Sequence, residues 1–243
     1  MSRLLFISDL HLSPARPRLL ERFGELLEAE AGGCDALYIL GDLFDAWIGD
    51  DDPSPFADEV RGMMRAFSGR SHLFFQRGNR DFLVSERFAS ETGTVLLEDE
   101  HLLRVGGLKV LLLHGDQLCT ADTEYQAVRR ELRSPGFRER MERLGIEERR
   151  ALAAEFRRRS GESQSLKPAD ITDVTQEAVA AVARDHGIDL LIHGHTHRPA
   201  IHELEVGGRR VQRVVLPDWR ESEPRVGFCL EASGHRWLEL PPA

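Results

Sequence analysis

Short apolar runs recur along the chain, and each is followed closely by an acidic residue or a histidine. They are residues 4–7 before Asp9, 36–40 before Asp42, 110–113 before His114 and 190–192 before His193. Continuous apolar runs are typical of strands that are buried on both faces beneath helices. Between them, residues 18–31, 56–67 and 171–186 carry apolar side chains at helical spacing. The pattern predicts a layered α/β fold.

The last part of the chain has a different pattern. After Pro199, four strand-like runs (200–206, 209–216, 226–231 and 235–240) are separated by glycine-containing turns. We expect these four runs to form a second sheet. Since the sequence shows no internal repeat and no flexible linker, we interpret residues 1–243 as a single domain.

Residues 122–167 contain no strand-like run and are dense in charge. Phe137, Met141 and Leu144 fall on one helical face, and a second short apolar face follows Gly145. This segment lies between the runs that end at His114 and His193, which places it beside the sheet edge where α/β folds collect ligands. We predict a helical insertion that covers this edge.

Composition excludes several classes of protein. The 243 residues are 41% hydrophobic and 30% charged, as in ordinary globular proteins, and the formal net charge of -9 argues against general affinity for nucleic acid. No apolar run approaches the roughly 20 residues of a membrane-spanning helix, and the N-terminal residues lack the apolar core of a signal peptide. Cys34, Cys119 and Cys229 show no CxxC pairing, so we expect free thiols in a reducing cytoplasm.

Five short segments carry candidate metal ligands. They are Asp9-Leu10-His11, Gly41-Asp42, Gly78-Asn79-Arg80-Asp81, His114-Gly115-Asp116 and His193-Gly194-His195-Thr196-His197. In an extended or turning segment, residues i and i+2 point the same way, so the DxH and HxH pairs can each present two side chains to one site. Carboxylate, carboxamide and imidazole without thiolate suit Mn²⁺, with iron or zinc possible.

Each ligand taken alone has a simpler explanation. A single Asp after a strand is often a helix cap, and a single Asn after Gly is often a turn residue. The five segments together favour a metal site, because most of them follow a predicted strand and so meet at one sheet edge. His193 is expected to point away from this site. The remaining histidines are interpreted as surface or packing residues: His72, His101, His186, His202 and His235.

The order DxH, GD, GN(H/R/D), H and GHxH resembles the calcineurin-like metallophosphoesterase family, over residues 5 to about 202. The resemblance implies a four-layer α/β/β/α sandwich with a helical lid insertion and two metal ions. It also implies that Asp9, His11 and His197 hold one ion. Asn79, His114 and His195 would hold the other, with Asp42 bridging the two.

Four longer segments, 41–51, 78–83, 114–122 and 193–199, resemble the bacterial diphosphatases that cleave UDP-2,3-diacylglucosamine in lipid A biosynthesis. The resemblance implies a Mn²⁺-dependent attack of water on the uridine-bearing phosphorus, giving UMP and a lipid monosaccharide 1-phosphate, with Arg80 as a catalytic residue that stabilises charge. The implied substrate contacts are Asn79, Arg80, Asp122, Ser160, Gln164, Lys167 and His195. Gln164 stands where relatives often carry Asn or Thr.

The predicted insertion is basic within an acidic chain. Between Arg129 and Arg159 there are 11 arginines and 6 glutamates, a local balance of +5. This charge suits a diphosphate substrate and an anionic membrane surface, so we expect a cytoplasmic protein, peripheral on the inner membrane. The alternative is an exposed helix laced with Glu–Arg pairs.

The sequence leaves other functions to be distinguished from this one. No nucleic acid and no obligate protein partner is expected. A rival activity is a related metallophosphoesterase acting on another nucleotide diphosphate-linked substrate or a phosphodiester. A non-catalytic scaffold would be expected to have lost metal ligands, and the sequence retains all seven.

Overall fold

The computed structural model describes residues 3–166, 168 and 171–240, with the backbone alone for residues 159–166. The strands in this part of the chain are β1 (Arg3–Ile7), β2 (Ala36–Leu40), β3 (His72–Gln76), β4 (Val95–Leu97), β5 (His101–Val105), β6 (Leu108–Leu112), β7 (Leu190–His193), β8 (Ala200–Val206), β9 (Arg209–Val215), β10 (Arg225–Glu231) and β11 (Gly234–Glu239). The helices are α1 (Pro17–Glu30), α2 (Pro55–Ser68), α3 (Glu86–Thr92), α4 (Thr123–Leu132), α5 (Pro135–Arg143), α6 (Ile146–Leu166) and α7 (Gln176–His186). A 3-10 turn spans Asp116–Leu118.

The strands form two sheets. The first has six strands in the order β11-β10-β1-β2-β3-β4, and the second has five in the order β5-β6-β7-β9-β8. Strands β1 to β4 run parallel, and so do β6, β7 and β9. The carboxyl ends of these parallel strands therefore lie at one edge of each sheet, as the sequence analysis required.

Alternating side chains on β1 show how the layers stack. Leu5 and Ile7 pack with the buried faces of α1 and α2, whereas Leu4 and Phe6 pack against residues of the second sheet. The far face of the second sheet is covered by α7, through Val179 and its neighbours. The predicted α/β/β/α sandwich is therefore confirmed, with the main apolar cores on both sides of the first sheet.

The assignment of all four C-terminal strands to the second sheet was wrong. Strands β8 and β9 do join it, but β10 pairs antiparallel with β1, and β11 lies beyond β10 in the first sheet. Without β10, the edge of β1 would expose its backbone N–H and C=O groups. Gly227 allows this pairing, because a Cβ there would lie 2.4 Å from the backbone oxygen of Phe6.

Other boundaries also differ from the sequence pattern. Strands β3, β4 and β5 are additional to those predicted, and α7 begins at Gln176 rather than at residue 171. Thr175 fixes that start, because its side chain accepts a hydrogen bond from the Ala178 N–H. No helix in the described residues is long and apolar enough to cross a bilayer. The three cysteines are buried and free.

In the order of the chain, helices α4, α5 and α6 follow β6 and precede β7, two neighbouring strands of the second sheet. Phe137 and Met141 of α5 are buried, and they belong to the same apolar core as the buried residues of α1 and α2, which cover the first sheet. We call α4, α5 and α6 the lid. The lid is thus packed onto the body of the protein and covers the carboxyl edge of the strands.

Candidate active site

Five non-glycine residues have a left-handed, and therefore strained, backbone conformation. Within the described chain, the non-glycine residues with positive φ are Asp9 (56°), His11 (49°), Asp42 (54°), His195 (67°) and His197 (54°). A left-handed backbone costs roughly 1–2 kcal/mol for such residues. Strain of this kind is retained where function requires a side-chain direction that relaxed backbone does not give. All five are among the predicted metal ligands.

Glycines allow the ligand loops to approach one another closely. A Cβ on Gly78 would lie 2.1 Å from Oδ1 of Asp42, and a Cβ on Gly194 would lie 2.2 Å from Oδ2 of Asp9. The loops are joined by backbone hydrogen bonds, including Asp9 N–H to the Gly41 carbonyl (3.1 Å). Loops that follow different strands are thereby fixed as one unit.

Asp9, His11 and His197 form one group. Nε2 of His197 lies 3.3 Å from Oδ1 of Asp9 and 3.4 Å from Nε2 of His11. Oδ2 of Asp9 accepts hydrogen bonds from the Ser8 hydroxyl and the His195 N–H, but buried Oδ1 accepts no aligned hydrogen bond, despite its closeness to His197. An oxygen left in this state faces the place where a cation would lie.

Asn79, His114 and His195 form the second group. Oδ1 of Asn79 lies 2.9 Å from Nε2 of His114 and 2.9 Å from Nδ1 of His195. Nδ1 of His114 lies 2.8 Å from the Leu40 carbonyl, which can accept a hydrogen bond only if Nδ1 carries the proton. In the neutral ring, Nε2 of His114 therefore presents a lone pair toward Asn79.

Asp42 lies between the two groups. Its Oδ2 is 4.0 Å from Nδ1 of His11, and its Oδ1 is 3.8 Å from Nε2 of His114. The same Oδ1 accepts a hydrogen bond of 2.8 Å from the Arg80 N–H. One carboxylate oxygen therefore faces each group, which is the arrangement that a bridging ligand needs.

Burial and neighbouring charges shift the pKa values of the cluster side chains. Burial raises the pKa of Asp42 to about 6, and burial lowers the pKa of His195 to about 3 and that of His11 to about 4. Burial would also lower the pKa of His197, but contact with Asp9 outweighs it and raises that pKa to about 9. Burial likewise opposes a charge on His114, but Asp42 and Asp9 outweigh it and raise the pKa of that ring. The buried carboxylates thus hold positive charge on His114 and His197, a place that bound cations would take over.

The side chains therefore fit a divalent metal centre. Two sets of side chains each offer three ligand atoms that lie within 4.8 Å of one another inside the set. One set is Asp9, His11 and His197, and the other is Asp9, Asp42 and His114. The donors are oxygen and imidazole nitrogen, as expected for borderline to hard divalent ions. Asp9 contributes to both sets, a position that the resemblance reserved for Asp42 alone.

Asp81, His193 and Arg80 neighbour predicted metal ligands in the sequence, and each has contacts of its own. Buried Asp81 accepts hydrogen bonds from the backbone N–H groups of Leu43 and Gly78, and no ion pair joins it to Arg80 in the described structure. His193 is buried, with Nδ1 2.9 Å from the Gly194 carbonyl and Nε2 3.4 Å from Nη1 of Arg213, so both ring nitrogens have partners outside the predicted ligand set. The Arg80 side chain borders the cluster, and its charge lowers the pKa of His11 in addition to the larger effect of burial.

The predicted substrate-binding residues are only partly described. Asp122 caps α4, since its carboxylate accepts a hydrogen bond of 3.0 Å from the Tyr125 N–H, and it also lines the cavity below. Ser160 and Gln164 lie in α6, but their side chains lie outside the described part of the chain, as does the whole of Lys167.

A cavity of about 540 Å³ opens between the ligand cluster and the lid. Its polar lining includes the ligand cluster and Arg80, together with acidic and basic side chains such as Asp45 and Arg157. Its apolar lining comprises Ile48, Phe82, Leu83, Val128, Leu132, Phe137, Met141 and Phe156. The space is thus suited to a ligand with a charged head and an apolar body.

Asp116 and Tyr125 also contact the site, although neither was predicted as a site residue. Buried Asp116 accepts hydrogen bonds from the Tyr125 hydroxyl (2.9 Å) and from Nε of Arg129 (2.8 Å), and the Tyr125 ring stacks on His195 with centroids 5.8 Å apart. Asp116 stands two residues after His114, so its place in that motif was the available signal. The contact with Tyr125 depends on how α4 folds back over the site.

This sandwich, with ligand-type side chains after five strands, defines a metal-dependent phosphoesterase. The chain belongs to the calcineurin-like phosphoesterase family, which it matches over residues 2–199. The predicted family and hydrolase class are therefore confirmed, and members of this family use divalent metals.

Known proteins are similar over nearly the whole chain. A protein of Stenotrophomonas maltophilia named UDP-2,3-diacylglucosamine hydrolase is 47% identical over 241 residues, which cover 96% of each chain. One of the same name from Ectopseudomonas mendocina is 43% identical over 239 residues, covering 98% of this chain and 97% of the relative. Among solved structures, an archaeal phosphodiesterase has the same fold, with a TM-score of 0.50 at 14% identity, covering 98% of this chain and 99% of that one.

Proposed function

We propose that this protein hydrolyses the diphosphate bond of UDP-2,3-diacylglucosamine in lipid A biosynthesis, giving 2,3-diacylglucosamine 1-phosphate and UMP. The relatives from Stenotrophomonas maltophilia and Ectopseudomonas mendocina, both named UDP-2,3-diacylglucosamine hydrolase, support this substrate. The observation that carries the proposal is the mixed lining of the cavity, which combines the ligand-type side chains with apolar side chains contributed largely by the lid. A diphosphate attached to a diacylated sugar combines the same two kinds of chemistry.

We infer that the cofactor is two Mn²⁺ ions per chain. Asp9, His11 and His197 would hold one ion, Asn79, His114 and His195 the other, with Asp42 between them. Two such ions, when bound, lower the pKa of a water molecule and neutralise phosphate charge. Nδ1–H of His114 donates a hydrogen bond to the Leu40 carbonyl, so that Nε2 of the same ring can bind a cation.

Arg80 is proposed to stabilise charge on the diphosphate. Its N–H is bonded to Asp42 and its carbonyl accepts from the Trp47 N–H (3.0 Å), so the backbone of this residue is fixed at the cluster. A guanidinium is protonated at neutral pH and does not act as a base. It can instead bind the phosphate oxygens as the bond from the uridine-bearing phosphorus to the bridging oxygen breaks and that oxygen leaves with the lipid phosphate.

The remaining head-group contacts are assigned by the same proposal. Asn79, Arg80, His195 and Asp122 all line the cavity. Ser160, Gln164 and Lys167 are proposed to complete the contacts from the end of α6 and the residue after it. The apolar walls, including Phe137 and Phe156, are proposed to enclose the acyl chains.

The lid is also proposed to bring the protein to the cytoplasmic face of the inner membrane. Val128 on α4 is 47% exposed at the cavity, and it immediately precedes the segment 129–159, whose charge balance is +5. Several lid arginines pair with neighbouring glutamates, as in Arg150 with Glu147 (2.6 Å), so the alternative of a solvated, ion-paired helix has support too. Binding of the protein to vesicles with and without anionic lipid distinguishes the two.

A substrate panel tests the proposed function. Purified protein with Mn²⁺ is incubated with UDP-2,3-diacylglucosamine, UDP-N-acetylglucosamine, CDP-diacylglycerol and a generic phosphodiester. We expect UMP release from the first substrate only, and its loss in Asp42→Ala and His114→Ala. Preferred cleavage of another member of the panel would favour the rival, a related enzyme with a different nucleotide-linked or phosphodiester substrate.

The position of attack is tested in water enriched in ¹⁸O. Attack on the uridine-bearing phosphorus places the label in UMP, and label in the lipid phosphate would contradict the proposed direction.

A further inference from the structure

The segment between β9 and β10 lies against the metal-ligand cluster. Its backbone is held by Arg22, a residue 1% exposed on α1 whose guanidinium donates hydrogen bonds to the carbonyls of Arg220, Glu221 and Glu223. A buried arginine bonded to three carbonyls of one segment fixes the shape of that segment.

Trp219 connects the same segment to the first ligand loop. The backbone N–H of Trp219 donates a hydrogen bond to the carbonyl of Asp9 (3.0 Å), and its indole N–H donates one to the carbonyl of Val226 (2.8 Å). The ring is 1% exposed and packs edge-on against Phe23. The residue before it, Asp218, is therefore placed at a fixed distance from the Asp9 loop.

Asp218 faces the side of His197 that is turned away from the cluster. Oδ2 of Asp218 lies 3.8 Å from Nδ1 of His197, whereas Nε2 of the same ring lies 3.3 Å from Oδ1 of Asp9. The Asp218 side chain is 15% exposed and its Oδ2 also accepts from Nε of Arg220 (2.9 Å). The separation of 3.8 Å is an ion-pair contact, so a hydrogen bond of roughly 2.7–3.2 Å requires the ring to move closer to Asp218.

We propose that Asp218 is a positioning residue, which accepts a hydrogen bond from Nδ1–H of His197 and so presents the Nε2 lone pair to the ion held with Asp9 and His11. The inference rests on the proposed metal centre. Metal-bound histidines generally donate their second N–H to a carboxylate or carbonyl, and loss of that partner weakens metal binding about 10- to 100-fold. For His114 the Leu40 carbonyl fills this place, and Asp218 fills it for His197.

Substitution of Asp218 by Asn separates this role from simple packing. The amide has nearly the same shape, but its NH₂ group can donate to Nδ1 and favour the tautomer with the proton on Nε2, the wrong atom for a ligand. Arg220→Gln is the matched control, because it removes the neighbouring ion pair and leaves the Asp218 carboxylate in place. Asp218→Glu keeps the charge and serves as the conservative variant.

Metal titration and NMR test the proposal without turnover. We expect Asp218→Asn to weaken binding of one of two Mn²⁺ ions about 10- to 100-fold, with Asp218→Glu retaining most of the affinity and Arg220→Gln leaving it unchanged. In Zn²⁺-loaded protein, the hydrogen-bonded Nδ1 proton of His197 should be present in wild type and in Arg220→Gln, and lost in Asp218→Asn.

The outcomes distinguish this inference from the function on which it rests. Wild-type protein that binds no metal would contradict the proposed metal centre. Wild-type protein that binds two ions, with Asp218→Asn unchanged in affinity and in the His197 signal, would overturn only the role of Asp218. Equal losses in Asp218→Asn and Arg220→Gln would assign the effect to the shape of the segment and also overturn it.

Discussion

Arg149 anchors the beginning of α6 to the loop that follows Asp42. Its guanidinium donates hydrogen bonds to both oxygens of Asp51 (2.6 and 2.5 Å) and to the carbonyl of Ile48 (2.9 Å). The Arg149 side chain is 6% exposed, whereas that of Asp51 is 49% exposed. We predict that Arg149→Met frees this part of the lid while its methylenes still cover the same apolar surface.

The magnitude follows from these exposures. A hydrogen bond from a charged group to the buried Ile48 carbonyl contributes roughly 1.5 kcal/mol, at the low end of its class. The pair with half-exposed Asp51 adds only about 0.5 kcal/mol, because water screens it and solvates the carboxylate when the pair is lost. The substitution should therefore favour local opening of α6 by about 2 kcal/mol, which is roughly 30-fold in the opening equilibrium.

Hydrogen exchange measures this opening directly. Amides in the first turns of α6 should exchange roughly 30-fold faster in Arg149→Met, while amides of β1 and β2 keep their protection. Arg150→Gln is the control on the same helix, since Arg150 is 42% exposed and its pairs with Glu147 and Asp52 are at the surface. Unchanged α6 exchange in Arg149→Met, or an equal rise in Arg150→Gln, would refute the reasoning.

Three further substitutions probe the site, the fold around it and the cavity. Gly78→Ala places a methyl 2.1 Å from Oδ1 of Asp42, so calorimetry should show metal affinity falling more than about tenfold, whereas Gly62→Ala, with nothing within 4 Å, should not change it. Arg133 and other positive groups outweigh burial and hold the pKa of Asp116 low. Asp116→Asn should therefore lower the free energy of unfolding at pH 7, measured with urea, and this loss should shrink only as the pH falls below about 4. Phe156→Ser should raise KM for the diacylated substrate about tenfold with little change for UDP-N-acetylglucosamine, and equal effects on both would place Phe156 outside the acyl-chain region.

The sequence was most informative where ligand type and strand position coincide. Asp9, Asp42 and His114 each follow an apolar run, and parallel strands bring their carboxyl ends to a common edge, so the cluster could be expected before the structure. Asn79 follows β3, whose polar ends His72 and Gln76 obscure the strand pattern. Its place in the site came from the order of motifs rather than from periodicity.

Long-range contacts account for what was missed. The pairing of β10 with β1 depends on which sheet edge is open, and a local pattern of apolar residues is the same in either sheet. Asp218 and Tyr125 reach the cluster only because buried Arg22 fixes one segment and the lid folds back over the strands. The positive φ angles of Asp9 and His195 likewise arise from the meeting of the loops, and the residue types alone do not specify them.

The central claim is that seven side chains between positions 9 and 197 surround two ions. A crystal grown with Mn²⁺ and measured at the manganese absorption edge tests it most directly. We predict two anomalous peaks on either side of Asp42, one contacted by Asp9, His11 and His197 and the other by Asn79, His114 and His195. A single peak, or peaks that none of these side chains contacts, would contradict the account.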